Sequence, residues 1–156
     1  MQQTGVNDLV KRGIATGLIA AAASAGVLIG FGRAHRAAFR PLNAVAHVFI
    51  GSRAYLFDEF DLRVTTLGVL VHVASVVLWG VIFTALARRL RGWMVVGAAL
   101  VFVGAAYVVD YAIVPERLRP GFEIALSRGE ISVVYLVLAA ALALGLKLTR
   151  TPVDIG

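Results

Sequence analysis

The stretch TTLGVLVHVASVVLWGVIFTALA, residues 65–87, decides the class of this chain. It contains no lysine, arginine, aspartate or glutamate, and its one ionisable side chain of note is His72. A helix rising 1.5 Å per residue over that stretch is about 34 Å long, enough to cross the roughly 30 Å hydrocarbon core of a bilayer. Residues 13–31, 93–114 and 131–146 repeat the pattern on either side, with Asp110 the only formal charge in any of the four runs. The expected fold is therefore all-α. It is an integral membrane four-helix bundle, a single transmembrane domain over 1–156, with spans at about 13–31, 62–87, 93–114 and 128–148.

Composition and charge narrow the function classes. The 156 residues are 60% hydrophobic, above the roughly 45–50% apolar usage of soluble domains. A net charge of +6 would raise nucleic acid in a soluble chain. Here the basic residues flank the apolar runs, where topology and lipid headgroups account for them. Nucleic acid is not an expected partner; the lipid bilayer is, joined by a membrane-protein partner or further copies of the chain. The absence of cysteine removes disulfides, thiol relays, cysteine-ligated clusters and a cysteine nucleophile. No G-x-S-x-G, H-E-x-x-H, P-loop or dinucleotide-binding glycine pattern occurs, so no catalytic residue is assigned.

Local signals set the boundaries. Lys11 and Arg12 precede a run containing Ala23-Ser24-Ala25, the form of a cleavable leader, but the run continues through Val27, Leu28, Ile29 and Phe31. That favours a spanning helix. Asp61 can cap the second span, and Ser127-Arg128-Gly129-Glu130 has the form of a capping box before the fourth. Pro115 and Pro120-Gly121 end the third. Gly13, Gly17, Ala20 and Ser24 form one small face of the first span and Gly26 and Gly30 another; Gly97 and Gly104 do the same in the third. Small faces are expected to let helices approach closely. Lysine and arginine number seven on the side of the termini and eight on the other. The short, purely basic Arg88-Arg89-Leu90-Arg91 turn tips the orientation toward both termini in the cytoplasm.

Between the first two spans, residues 32–40 read as a basic amphipathic helix with Arg33, Arg36 and Arg40 at helical spacing. Pro41 then opens 42–50, which Gly51 stops. That 42–50 piece is too short to span, so the 33–50 segment is expected as an interfacial or re-entrant helix, with Asn43 and His47 sharing a face.

The same spacing locates a candidate site. His72 lies seven residues beyond Thr65 and Asp110 five before Pro115. Both therefore sit roughly 7–11 Å inside the same membrane boundary. Asn43, His47, Tyr107, Tyr111 and Tyr135 belong to that side, and Ser75 shares a helical stripe with His72. The expected pocket is built from His47, His72, Asp110 and Tyr107, with Asn43, Ser75, Tyr111 and Tyr135 around it. Asp110 should face the bundle, because a charge in lipid costs roughly 2.5–3.5 kcal/mol at a helix centre. Its expected partner is His72, with Tyr107 or Tyr135 as alternative donors. The plainer reading makes His72 an interhelical hydrogen bond and Asp110 an anchor; Asp58, Glu59 and Asp61 then form a solvated loop and a cap.

Several chemistries fit such a set. The leading expectation is a non-enzymatic membrane protein, an accessory subunit or a small-molecule or ion binding module. His47 and His72 as axial ligands of a b-type haem, or His47, His72 and Asp110 around a divalent metal, are the redox alternatives. A small oligomeric proton-coupled transporter or channel is another. The strings PLNAVAHVFIG (41–51), VHVASVVLWG (71–80) and VVDYAIVPERLRPGFE (108–123) resemble small four-helix inner-membrane proteins of bacteria, over most of 33–135. The resemblance implies a bacterial inner membrane as location, and it brings no ligand, substrate or catalytic residue.

Overall fold

A computed structural model describes residues 2–150; Met1 and 151–156, on which the expected placement of the termini falls, lie outside the described residues. Among the described residues there is no strand. Six α-helices follow in order: α1 (Gln2–Ala34), α2 (Arg40–Val45), α3 (His47–Ile50), α4 (Leu62–Ala87), α5 (Trp93–Val108) and α6 (Arg128–Thr149). The long ones, α1, α4, α5 and α6, make a four-helix bundle. With α5 counted through Ile113, each of the four is long and apolar enough to cross a membrane, so by length and composition the chain is a multi-pass membrane protein.

The caps form as the sequence requires. The Asp61 carboxylate accepts from the Arg63 and Val64 amides at 3.0 and 2.8 Å. At the start of α6, Ser127 and Glu130 satisfy each other's backbone amides in a reciprocal capping box. These bonds pair amide groups that the first turn of a helix leaves without partners. At the far end of the bundle, the Arg150 guanidinium donates to the Ala87 and Leu90 carbonyls and ties α6 to the end of α4.

Three expectations are corrected. First, α1 begins well before the apolar run at Gly13, because nothing in residues 2–12 breaks a helix even where the apolar pattern is absent. Second, 32–40 is not an amphipathic helix. The chain stops at Ala34 in a reversal where the Ala37 amide returns to the Gly32 carbonyl (2.8 Å) and the Arg36 amide to Arg33 (3.0 Å), with Arg36 at φ 60°. This is the bonding of a Schellman stop, with arginine where glycine is usual. A side chain at Gly32 would lie 2.5 Å from the Ala38 carbonyl oxygen, so the missing Cβ lets the chain fold back there. Third, the third span is not one α-helix to Val114. It widens into a π-helical turn at Val109–Ile113, where the Val114 amide reaches the Val109 carbonyl at 2.8 Å. Val114 itself is extended, as a residue before proline prefers.

The segment after the reversal is inserted, not laid on the surface. Pro41, Leu42, Asn43, Ala44 and Val45 are all buried, with α2 packed on α1, α4 and the Phe122–Ile124 turn. Gly68 of α4 permits this, since any side chain there would run into the Leu42 carbonyl. α3 follows and ends at Gly51, at φ 66°.

The long helices are arranged unequally. α1 packs along both α4 and α6, and α5 packs along α6. Between α4 and α5 contact is sparse, with Phe102 set against Trp79 at 5.6 Å and Phe83 at 5.3 Å. The tight seam is α1 with α4. A Cβ at Gly17 would sit 2.5 Å from Val77 Cα, and one at Gly80 would sit 2.5 Å from Gly17 Cα. By contrast Gly26, Gly30, Gly97 and Gly104 have nothing within 4 Å, so the close approach expected of those faces is absent within the chain. Spacing alone does not say which small face meets a neighbour.

Gly80→Leu is expected to lower Tm strongly, because overpacking costs about 1–3 kcal/mol or more where backbone must move. Gly97→Ala should leave Tm unchanged or raise it, with up to about 1 kcal/mol gained from helix propensity. Thermal unfolding of the two variants in the same detergent checks the pair.

Candidate functional site

A cavity of about 90 Å³ lies in the half of the bundle that holds α2 and the 115–127 connection. His72, Ser75 and Trp79 reach it from α4, Asp110 from the π-helical turn, Tyr135 and Leu138 from α6, and Ser24 from α1. Arg119, Pro120 and Phe122 of the connection close it from above. Ser75 both lines the cavity and is exposed, and it stands at the middle of α4. The opening therefore runs through the flank of the bundle, between the middle of α4 and the π-helical turn that ends the third span.

The hydrogen bonds fix what each polar group offers. The Ser24 hydroxyl donates to the Ala20 carbonyl at 2.8 Å, which leaves its oxygen to accept from His72 Nε2 at 3.0 Å. The Ala21 carbonyl, 3.4 Å from the same nitrogen, can only accept. His72 Nε2 is thus the donor, and Nδ1 is left as an acceptor. The ring lies edge-on to Phe122 at 6.3 Å. On the opposite wall the Tyr135 hydroxyl donates to Asp110 Oδ2 at 2.6 Å, a short bond. Arg119 has its Nη1 3.9 Å from Glu116, while its Nε is buried with no hydrogen-bond partner. Among the described residues the Ser75 hydroxyl has no hydrogen-bond partner.

The eight candidate residues divide evenly. His72, Ser75, Asp110 and Tyr135 line the cavity; Asn43, His47, Tyr107 and Tyr111 do not. The expected His72–Asp110 pair is not formed. His72 is taken by Ser24, and the π-helical turn carries Asp110 to Tyr135, the alternative donor. Tyr107 is exposed, and with Tyr111 it stacks on Tyr135 in an aromatic cluster, ring centroids 4.9–6.3 Å apart. Asn43 is a fastener. Its amide donates to the Phe57 and Glu59 carbonyls, each at 2.9 Å, and its oxygen accepts from Thr65 at 2.7 Å. His47 Nδ1 donates to the Ala44 carbonyl at 2.8 Å, and the ring packs at 5.5 Å on Tyr55. The Tyr55 phenol is pushed above its usual range by partial burial and then by the Glu123 and Glu116 carboxylates.

His47 and His72 consequently share no cavity wall. Space also speaks against a porphyrin between them, since drug-sized ligands occupy roughly 300–1,000 Å³. The set His47, His72 and Asp110 does not assemble for a metal: among the described residues, no three His, Asp or Glu side chains are grouped closely enough to hold one.

Most of the wall was not among the candidates, and three of the missed residues, Ser24, Arg119 and Phe122, bear on the site. Ser24 was legible by depth, ten residues from the Ala34 end of α1 just as His72 is ten from the Leu62 start of α4. Phe122 and Arg119 had no periodic signal, because the connection that carries them is not one helix.

No protein-family model, curated protein or solved structure matches the chain. Its chemistry is read from its own atoms.

Asn43→Ala removes two part-buried donor bonds and takes the acceptor away from the buried Thr65 hydroxyl, the last costing about 1–3 kcal/mol. The variant is expected to lose several degrees of Tm and to expose the 57–61 loop to protease, with the spectrum of a folded helical protein retained. Limited proteolysis with circular dichroism checks this.

Proposed function

We propose that this protein is a membrane-embedded binding module for a small amphiphile, with no catalytic step of its own. One observation carries the reading: polar atoms without protein partners meet at a cavity that opens sideways. Arg119 Nε offers a donor, Ser75 either role, and His72 Nδ1 an acceptor, while the Tyr135–Asp110 bond keeps the carboxyl oriented. A buried polar group without a partner is costly, so a ligand supplying these bonds gains their full worth. The rest of the wall is apolar, including Val76, Trp79, Phe122 and Leu138. The fitting ligand has a compact head that both donates and accepts hydrogen bonds. Its apolar chain leaves between α4 and the π-helical turn into the lipid.

The host membrane in this reading is the bacterial inner membrane, with both termini in the cytoplasm. The short basic turn at Arg88, Arg89 and Arg91 supports that orientation.

Trp79 provides the test. It lines the cavity, and the other tryptophan, Trp93, is 82% exposed. In a Trp93→Phe background, a brominated fatty acid is expected to quench Trp79 saturably. His72→Phe and Arg119→Gln should each weaken that binding about tenfold, the worth of one buried hydrogen bond to a polar head. Quenching that never saturates, or that is equal in all variants, contradicts the reading.

A further inference from the structure

A second cavity, of about 210 Å³, lies where α1 ends, α2 begins and the Phe122–Ile124 turn passes. The reversal over Gly32 brings its walls together, and its ionisable lining residues are His35 and Arg40. Arg40 uses only part of its guanidinium: Nη1 is 3.3 Å from Asp58, while Nε is buried and has no partner. His35 Nε2 is occupied by Glu130 at 2.6 Å. Arg33 and Arg36 stand exposed beside the wall residues Gly32, His35 and Ala37, and Arg128 is exposed at the start of α6. Among the described residues none of these three has an ion-pair partner, so at this end the cations Arg33, Arg36, Arg40 and Arg128 exceed the acids Asp58, Glu123 and Glu130.

The level matters as much as the charge. α1 stops and α6 starts here, so the cavity sits at the boundary where apolar helix gives way to polar chain, the layer of lipid headgroups. We propose that this pocket binds a phosphate group, with the Arg40 guanidinium as its direct donor and Arg33 and Arg36 supplying the attracting field. Arginine suits that task because its planar fork matches phosphate oxygens. The phosphate belongs either to an anionic phospholipid or to free phosphate.

The experiment is thermal unfolding of the detergent-purified full chain, at matched ionic strength. One series adds short-chain phosphatidylglycerol, the other inorganic phosphate. A saturable rise in Tm is expected in at least one series, with the apparent Kd weakened about tenfold in Arg40→Gln, as for loss of one charged hydrogen bond. A rise with lipid alone identifies the headgroup; a rise with phosphate as well identifies the free anion as sufficient. Should Arg40→Gln fail to fold for want of its Asp58 contact, Arg36→Gly decides, since glycine suits the φ of 60° there and the exposed charged side chain is removed without strain. It is expected to weaken binding several-fold while folding at least as well. No saturable rise in either series, or an unchanged Kd in the folded variant, overturns the proposal.

Discussion

Gly17 of α1 and Gly80 of α4 meet backbone to backbone, and that contact sets how closely the first two long helices approach. In a membrane no hydrophobic force draws helices together, because lipid chains are as apolar as leucine. Close packing has to supply the association, and two glycines at one crossing permit it. With α4 held on α1, and α6 on the other side of α1, α5 finds its partner in α6. A gap is left between α4 and α5. Phe102 bridges it against Trp79 and Phe83, and nearer the other end α2 packs on α1 and α4.

That gap gives the polar groups their meaning. Inside a tightly packed bundle, Ser24 and His72 would be one more interhelical hydrogen bond, and Tyr135 with Asp110 another. Each of those bonds does join two elements of the bundle. Both pairs also border the same space, and Arg119 and Ser75 face it with hydrogen-bonding capacity left over. A pair that is only structural spends its donors and acceptors on each other; here some remain unspent at a side opening, which is the basis of the proposed amphiphile site.

Much of the bundle was legible because apolar length is a strong signal. The four spans, the Asp61 cap, the Ser127–Glu130 capping box and the stop at Gly51 all depend on short-range chemistry that a sequence states openly. Equal depth for His72 and Asp110 followed from counting residues along helices. What counting could not supply was rotation. The π-helical turn after Val108 breaks the 100° step, so Asp110 meets Tyr135 and not His72. Spacing misled again at 32–40, where the arginines keep helical intervals but the absence of a Cβ at Gly32 lets the chain reverse. Arg119 was invisible as a site residue for a related reason: an irregular connection has no period to read.

If the α1–α4 seam leaves a cavity open to the side, a lipid-soluble reagent reaches the residues that line it. The chain has no cysteine of its own, which makes a single introduced thiol a clean reporter. Ser24 and Thr84 are equally buried, at 1% exposure each, but only Ser24 lines the cavity. Ser24→Cys and Thr84→Cys would be reconstituted in vesicles and treated with a small lipid-soluble methanethiosulfonate. The account predicts that the thiol at position 24 reacts readily while the one at 84 stays protected. Equal protection of both would mean that the flank between α4 and the π-helical turn is closed, and would contradict it.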